Sequence, residues 1–165
     1  MMAEYSAGVL FYYKQNGNVY FLLGKDRRGK WSDFGGKCES CDKSIIDTAS
    51  REFYEETIGI VLNRYTISHI LNTCSYVEGR SYLNKPYYMF IVEMNYRLRY
   101  SEQFKESYRF IKSILGNNSH FCEKIDVQWI LKDNIQKNTK NEIRQVFYST
   151  FVNNLTEILN IVHSA

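Results

Sequence analysis

Residues 33–60, DFGGKCESCDKSIIDTASREFYEETIGI, contain the pattern that decides the fold of this 165-residue chain. The stretch opens on paired glycines, crosses a polar loop and enters a helix-compatible run with Arg51, Glu52, Glu55 and Glu56. At 3.6 residues per turn, the three glutamates fall within an arc of roughly 100° on one helix face. Like charges this close repel each other, so a cation is expected among them. Several carboxylate oxygens, a backbone carbonyl and open water positions are what Mg²⁺ or Mn²⁺ prefers.

The stretch resembles the signature of the Nudix hydrolases, G-x5-E-x7-R-E-U-x-E-E-x-G-U, in which U is a bulky aliphatic residue. Gly36 matches the first glycine, and the charged core from Arg51 to Glu56 keeps its order. Asp42 replaces the loop glutamate, Phe53 replaces an aliphatic residue, and one extra residue lies on each side of the charged core. We interpret the two insertions as longer loop and helix ends that leave the site intact.

The resemblance implies a role for each residue of the signature. The Gly35 carbonyl and the carboxylates of Glu52, Glu55 and Glu56 would hold one or more Mg²⁺ or Mn²⁺ ions. Glu52 is also the candidate that assists deprotonation of the attacking water. Arg51 would pair with a glutamate, most simply Glu55 at i+4, and hold the geometry of the cluster.

Two further groups follow from the same resemblance. Lys37, directly after the paired glycines, is a candidate phosphate ligand. Many Nudix enzymes also take a catalytic or metal-binding glutamate from a downstream loop, and Glu123 is the first choice here because it precedes a predicted strand. Glu102 and Glu93 are the second and third choices. An ordinary exposed glutamate is the alternative for each of the three.

A glutamate-rich helix face is often only a solvated surface, and this is the alternative interpretation of the cluster. Three apolar residues at helical spacing, Ile46, Ala49 and Phe53, argue against it. Their arc lies beside that of the carboxylates and not opposite it. We therefore expect the acidic patch at the seam between the helix and the body of the fold, where a pocket can form.

The polar segment 24–30, GKDRRGK, precedes the signature closely enough to reach a substrate. Arg27, Arg28 and Lys30 are candidate phosphate-binding residues, since guanidinium forks and ammonium groups pair with phosphate oxygens. A solvated surface loop is the alternative for this segment.

Composition predicts one globular domain over residues 1–165, since 44% hydrophobic and 16% aromatic residues suffice for one core. The resemblance implies that this single domain is a Nudix hydrolase domain. No apolar run of about 20 residues and no signal-peptide pattern is present, so we expect an intracellular protein of the cytoplasm, or of the host cytoplasm if the source is a virus. A net charge of +3 is too small to diagnose nucleic-acid binding. Cys38 and Cys41 lack a second closely spaced pair that would complete a zinc site.

Hydrophobic periodicity predicts the remaining elements. Strands are predicted at 7–13, 19–23, 64–77, 85–96 and 125–131, and helices at about 44–57, 101–115 and 140–163. Asn16-Gly17-Asn18 is a hairpin signal, residues 78–80 are assigned to a turn, and Ser44 or Asp42 and Ser101 are the predicted helix caps. This order predicts an α+β fold. The resemblance implies a Nudix-like α/β/α sandwich with a mixed central sheet, an added helix near 101–115 and a long C-terminal helix.

The function implied by the resemblance is metal-dependent pyrophosphate hydrolysis of a nucleoside diphosphate linked to another group. Modified nucleoside triphosphates, nucleotide sugars and dinucleoside polyphosphates belong to this class. Sequence alone does not separate candidate base-stacking aromatics (Tyr5, Phe11, Tyr54 and Phe121) from core residues. The oligomeric state, including a homodimer, is left open.

Two other functions remain as alternatives. One is a decapping hydrolase of messenger RNA, with the RNA following the 25–30 loop and Lys105, Arg109 and Lys112. The composition, typical of an AT-rich genome, is similar to that of the Nudix decapping enzymes of large DNA viruses. The other is a Nudix module that senses a nucleotide without hydrolysing it.

Overall fold

A mixed sheet of seven strands lies at the centre of the computed structural model, which describes residues 4–96 and 99–165. The strands are β1 (Ser6–Gln15), β2 (Asn18–Asp26), β3 (Trp31–Ser32), β4 (Phe34–Lys37), β5 (Tyr76–Arg80), β6 (Pro86–Glu93) and β7 (Lys124–Leu131). They follow the order β3-β2-β1-β6-β5, with β4 paired to β1 and β7 to β2. The β1–β6 pair is parallel, whereas the other pairs are antiparallel. The predicted mixed sheet is confirmed.

Helices cover both faces of the sheet. They are α1 (Ile45–Glu56), α2 (Arg64–Leu71), α3 (Tyr100–Leu115), α4 (Lys132–Lys137), α5 (Gln145–Asn153) and α6 (Leu155–Ser164). Buried residues of α1, α2 and α3 share one apolar cluster with the sheet, and those of α4, α5 and α6 share a second cluster. The α/β/α sandwich is therefore confirmed. Within the described part of the chain, no helix combines the length and the apolar character that crossing a bilayer requires.

The hairpin signal after β1 is confirmed. Asn16 and Gly17 both have positive φ, 52° and 76°. Two successive residues of this kind form the turn that matches the twist of paired strands. The strands extend beyond their predicted ends, to Gln15 and from Asn18.

Helix α1 begins after Ser44, whose side chain accepts a hydrogen bond from the backbone N–H of Asp47 at 3.1 Å. Of the two predicted caps, Ser44 is therefore the one observed. The helix ends at Glu56, and Ile58 and Gly59 then take φ values of 57° and 67°. A left-handed isoleucine costs roughly 1 to 2 kcal/mol. The insertion on this side of the signature thus lies in a strained turn just beyond the helix.

The predicted strand at 64–77 is wrong over most of its length, because residues 64–71 form α2. Asn63 caps this helix by accepting a hydrogen bond from Thr66 N–H at 2.8 Å. Ile67 and Leu71, at i,i+4 spacing, are buried in the apolar cluster that also contains Ala49 and Phe53 of α1. The β-branched residues of this segment suggested a strand, but propensity is a weaker signal than burial of one helix face. The segment assigned to a turn, 78–80, belongs to β5, and the turn follows it.

The single long helix predicted at 140–163 is also wrong. Residues 140–144 are not helical, since the backbone of Trp31 donates to Glu142 O and accepts from Arg144 N–H. The helical part is divided at Asn154, whose side-chain amide donates to Glu78 O at 3.0 Å and Thr150 O at 2.9 Å. The helix is divided because Asn154 ties it to the edge strand β5.

Helix α3 is confirmed, with its start at Tyr100 and its end before Gly116. Ser101 does not cap it as predicted. Its hydroxyl instead donates to Asp126 Oδ1 on β7 at 2.9 Å. The strand predicted at 125–131 is confirmed and begins one residue earlier.

Phe53 joins α1 to the sheet and offers a test of the fold. Its ring is fully buried and lies 5.0 Å from the ring of Phe11 and 5.6 Å from that of Phe34. We expect Phe53→Ala to lower the free energy of unfolding by about 3 to 5 kcal/mol, because the cavity is not refilled. Urea unfolding measures the change. The control Tyr65→Ala, at a side chain that is 83% exposed, should change it by less than about 0.5 kcal/mol. Equal effects of the two variants would contradict this packing.

Candidate active site

The carboxylates of α1 lie at the seam between the helix and the sheet. Glu56 is buried, and the side chains of Glu52 and Glu55 are 13% and 20% exposed. The paired glycines make this approach possible. An ideal β-carbon on Gly36 would lie 2.5 Å from the Glu52 carboxyl carbon, and the Gly35 N–H donates to Glu56 Oε2 at 2.8 Å.

Arg51 bonds to several acids of the cluster. Its main partner is Asp42, whereas the sequence predicted Glu55. Its Nε and Nη2 donate to the two oxygens of Asp42 at 3.1 and 2.8 Å. Its Nη1 donates to Glu52 Oε1 at 2.9 Å and lies 3.4 Å from Glu55 Oε2. The pair with Glu55 exists, but the two-pronged bond to Asp42 is shorter and fully buried. Asp42, which is shorter than the glutamate of the Nudix signature, thus still contributes to the site by binding Arg51.

Burial and neighbouring charges separate the pKa values of these acids. Burial opposes ionisation of Asp42, but its hydrogen bonds, chiefly from Arg51, lower its pKa to about 2. Burial raises the pKa of Glu52 to about 7, with Arg51 opposing the rise and the charges of Glu55 and Glu123 adding to it. Burial also raises the pKa of Glu56 well above its usual range. Burial raises the pKa of Glu55 as well, so all three glutamates are poorly accommodated as unpaired anions.

Lys124 is a member of the site that sequence reasoning missed. Its side chain is 1% exposed, its ammonium donates to Ser32 Oγ at 2.7 Å, and its Nζ lies 3.6 Å from Glu56 Oε1. Gly24 provides the room, since an ideal β-carbon there would lie 3.0 Å from Lys124 Cδ. Most lysines are exposed, so a lysine at the start of a strand is expected at the surface. The sequence therefore gives no sign that Lys124 is buried beside Glu56.

A second buried acid, Asp33, lies next to this lysine. Burial raises its pKa to about 6, while the hydroxyl of Tyr87, which donates to it, and the charges of Lys124 and Arg144 oppose the rise. Asp33 and Glu56 are thus two buried acids that interact with the same ammonium group.

A cleft of ≈ 870 Å³ opens beside these residues. Its wall contains the cations Arg27, Arg28, Lys30, Lys124 and Arg144 and the acids Asp26, Glu56 and Glu123. A volume of this size accommodates a nucleotide-sized ligand. Of the three glutamates of α1, Glu56 lines the cleft, and the cleft therefore brings one end of the carboxylate cluster next to a set of positive charges.

Asp26, Arg27, Arg28 and Lys30 of the cationic segment 24–30 line this cleft, and some of these side chains also fix the position of the segment. Phosphate binding by Arg27, Arg28 and Lys30 stays a prediction. Arg27 donates to Cys122 O at 2.8 Å and to Asn117 O, and Lys30 donates to Asn141 O. Arg28 is exposed on the wall of the cleft. Lys37 does not join this group, because its side chain lines two smaller cavities next to the paired glycines.

Of the three downstream glutamates considered from sequence, the structure brings only Glu123 to the cleft. Glu123 lies directly before β7, and its charge raises the pKa values of Glu52, Glu55 and Glu56. Glu102 pairs with Arg99 on the exposed surface of α3, and Glu93 pairs with Lys14 at the far end of its strand.

The chemistry of the donor set fits a hard divalent cation. All donors are oxygens, the buried carboxylates lack full compensation of their charge, and Gly36 leaves space beside Glu52. Across residues 4–96 and 99–165, no three acidic, imidazole or thiol side chains are arranged as a ready metal site. Glu52 turns to Arg51 and Glu56 to Lys124, so protein cations occupy part of the role expected of a metal. Metal binding by Glu52, Glu55, Glu56 and the Gly35 carbonyl stays a prediction.

No family model matches this chain. It is 43% identical over 58 residues to an uncharacterized protein of Acanthamoeba polyphaga mimivirus, in an alignment that covers 32% of this chain and 19% of that protein. The chain thus spans about a fifth of the length of that relative.

Solved structures resemble this fold over almost its whole length. The NUDIX domain of Shewanella oneidensis NrtR, complexed with ADP ribose, gives a TM-score of 0.57 at 13% identity over 96% of this chain and 90% of that domain. An Ap4A hydrolase of C. elegans gives 0.55 at 14% identity over 94% of this chain and 98% of that one. A bifunctional NMN adenylyltransferase/ADP ribose pyrophosphatase of Francisella tularensis, complexed with AMP and a Mn ion, gives 0.53 at 18% identity over 94% and 42%. Likeness at these identities establishes a shared fold.

Asp42→Asn tests the ion pair beneath the cluster. Removing one partner of a buried pair costs about 3 kcal/mol, so we expect a loss of that size in the free energy of unfolding at pH 7. The pKa of folded Asp42, about 2, lies below its ordinary value of 3.8. Its stabilisation is therefore complete above about pH 4 and is lost as the pH falls toward 2. Urea unfolding at pH 7 and pH 2 should show a smaller difference between wild type and variant in acid. Asp133→Asn, at an exposed pair, is the control, and an equal difference at both pH values would refute the assignment.

Lys124→Met tests the second cation of the cluster. The variant leaves the buried carboxylate of Glu56 without its ammonium partner, and we expect a loss of about 3 kcal/mol in the free energy of unfolding. The double variant Lys124→Met/Glu56→Gln should be more stable than the sum of the single losses predicts, by about 1 kcal/mol or more. Lys105→Met removes a half-exposed ion pair and serves as the control. Strict additivity of the two losses would show that the residues do not interact.

Proposed function

We propose that this chain, whose fold is the Nudix fold, is a metal-dependent pyrophosphohydrolase that cleaves a phosphoanhydride bond in a nucleotide. The observation that carries the proposal is the shared cleft: Glu56 and Glu123 lie in one wall with Arg28, Lys30 and Arg144. Carboxylates suit a divalent cation, and the cations suit phosphate oxygens. A solvated acidic surface would not need buried glutamates beside a cationic cleft.

Different residues of the site would serve different parts of the hydrolysis reaction. A bound Mg²⁺ or Mn²⁺ would neutralise charge on the phosphoryl oxygens and lower the pKa of the attacking water. Glu52 is the candidate that assists deprotonation of this water. Arg51 holds its carboxylate at 2.9 Å. Because Arg51 is itself fixed by Asp42, this orientation does not depend on the substrate.

Binding of the phosphate chain falls to the cations of the cleft. Arg28 lies exposed at its wall, whereas Arg27 and Lys30 are bonded to neighbouring backbone carbonyls. We therefore assign direct contact with phosphate oxygens to Arg28 and Arg144, and a positioning role to Arg27 and Lys30. Lys37 would meet only a part of the substrate that extends past the paired glycines.

The substrate class we propose is a nucleoside diphosphate linked to another group. The support is the fold shared with a NUDIX domain complexed with ADP ribose, an Ap4A hydrolase and an ADP ribose pyrophosphatase. A nucleotide sugar, a modified nucleoside triphosphate or a dinucleoside polyphosphate each presents the same diphosphate to the cleft.

Capped RNA is the second candidate substrate, and the charges of α3 bear on it. Lys105 lies 3.6 Å from Asp126, and Lys112 lies over the ring of Tyr108, so both are engaged within the chain. A decapping enzyme would bind an RNA tail with a steep salt dependence and would leave free cap dinucleotide uncleaved. A nucleotide sensor, the third candidate, would bind ADP ribose without releasing product.

Glu55→Gln tests the hydrolytic proposal. Glu55 is partly exposed at the cluster and is expected to ligate the metal, so the variant should lower Mg²⁺-dependent release of phosphorylated products, such as a nucleoside monophosphate, from a panel of nucleotides at least about tenfold. Omitting the metal should abolish release by the wild type. Glu106→Gln, on the exposed face of α3, is the matched control and should retain full activity. Turnover by Glu55→Gln at the wild-type rate, or turnover in chelator, would remove the assignment.

A further inference from the structure

We infer that Tyr82, in the turn between β5 and β6, stacks on the base of the nucleotide and so binds its nucleoside half. The inference rests on the proposed function and adds the site for the nucleoside half of the substrate. Neither the signature nor the pattern of core residues indicates this tyrosine.

Tyr82 combines exposure with a place in the catalytic cleft. Its side chain is 71% exposed, and it lines the same cleft as Glu56 and Glu123. A large aromatic side chain in water at a hairpin turn contributes little to the core, whereas a ligand in the cleft would cover its ring. The rings of Tyr5, Tyr54 and Phe121, by comparison, already make edge-to-face contacts with other aromatic rings.

The turn presents this ring from a fixed backbone. Ser81 N–H donates to Lys85 O at 2.9 Å, Asn84 N–H donates to Ser81 O at 2.9 Å, and Lys85 N–H donates to Ser81 Oγ at 3.2 Å. Asn84 takes a left-handed φ of 56° that closes the turn. Because these bonds order the turn before binding, stacking costs less conformational entropy than it would on a mobile loop.

Two smaller cavities share Tyr82 with the main cleft as a lining residue. The first, of ≈ 130 Å³, contains Gly35, Gly36 and Arg144 in its wall, and the second, of ≈ 350 Å³, contains Tyr5 and Leu83. Tyr82 lines both, and Arg144 lines the first cavity as well as the main cleft. A phosphate held at Arg144 therefore places the rest of a nucleotide next to the Tyr82 ring.

The charges that line the cleft and the two cavities indicate where the phosphates and the nucleoside of the ligand would lie. The main cleft concentrates cations, which favour the phosphates. The cavity beside Tyr82 is framed by the apolar faces of Tyr5 and Leu83, and Lys85 there is paired with Glu4 at 3.0 Å. An aromatic ring stacks on any base. Stacking on Tyr82 would therefore bind nucleobases as a class and would not select one base over another.

The test compares two diphosphates that differ only in the nucleoside. ADP and inorganic pyrophosphate are titrated by calorimetry, in the presence of Mg²⁺, into the wild type, Tyr82→Ala, Tyr82→Phe and Tyr65→Ala. Tyr65, 83% exposed on α2, is the matched control tyrosine. We expect Tyr82→Ala to weaken ADP about tenfold, within the range that stacking supplies, and to leave pyrophosphate unchanged. Tyr82→Phe and Tyr65→Ala should bind ADP like the wild type.

The ratio of the two affinities separates recognition from damage to the fold. Equal loss of ADP and pyrophosphate in Tyr82→Ala, unchanged ADP binding in it, or a wild type that binds ADP no better than pyrophosphate would each overturn the inference. A wild type that binds ADP through Tyr82 but hydrolyses no nucleotide would leave the base site standing and remove the proposed hydrolysis instead.

Discussion

The ion pair between Arg51 and Asp42 is the constraint on which the rest of the site depends. It ties the loop after the paired glycines to the middle of α1, and the same guanidinium reaches Glu52 and Glu55. Asp42 has no exposed surface in its side chain, so the pair is shielded from water and from salt. Without this anchor, the repulsion among the glutamates would turn them toward solvent.

Space is the second constraint, and glycines supply it. Gly36 leaves room for the carboxylate of Glu52, and Gly24 leaves room for the buried stem of Lys124. A side chain at position 36 would displace the Glu52 carboxylate, and one at position 24 would crowd the Phe34 ring and the stem of Lys124. The two glycines lie in different strands, β2 and β4, and the sheet brings both strands against the same cluster of charges.

Local patterns predicted the elements whose signals lie in adjacent residues. The hairpin at Asn16-Gly17 is specified by turn chemistry, and α1 by its cap, its apolar face and its charged core. The prediction failed where tertiary contacts outweigh propensity. Residues 64–71 form a helix because Asn63 caps it and one face is buried, and the C-terminal helix divides because Asn154 bonds to β5. The burial of one face of residues 64–71 and the bond from Asn154 to β5 are both tertiary contacts, which the local sequence does not show.

The sequence by itself determined the class of fold and the carboxylate cluster, because i,i+3 and i,i+4 spacing places side chains on one helix face whatever surrounds the helix. It also indicated that a cationic segment precedes the cluster. Only the tertiary structure decided which distant groups join it. Tyr82, the neighbours Glu123 and Lys124, and Arg144 come from three separate parts of the chain, and the sheet and its loops bring them to one cleft. Contacts between residues far apart in the chain depend on the packing of whole elements, which no local spacing encodes.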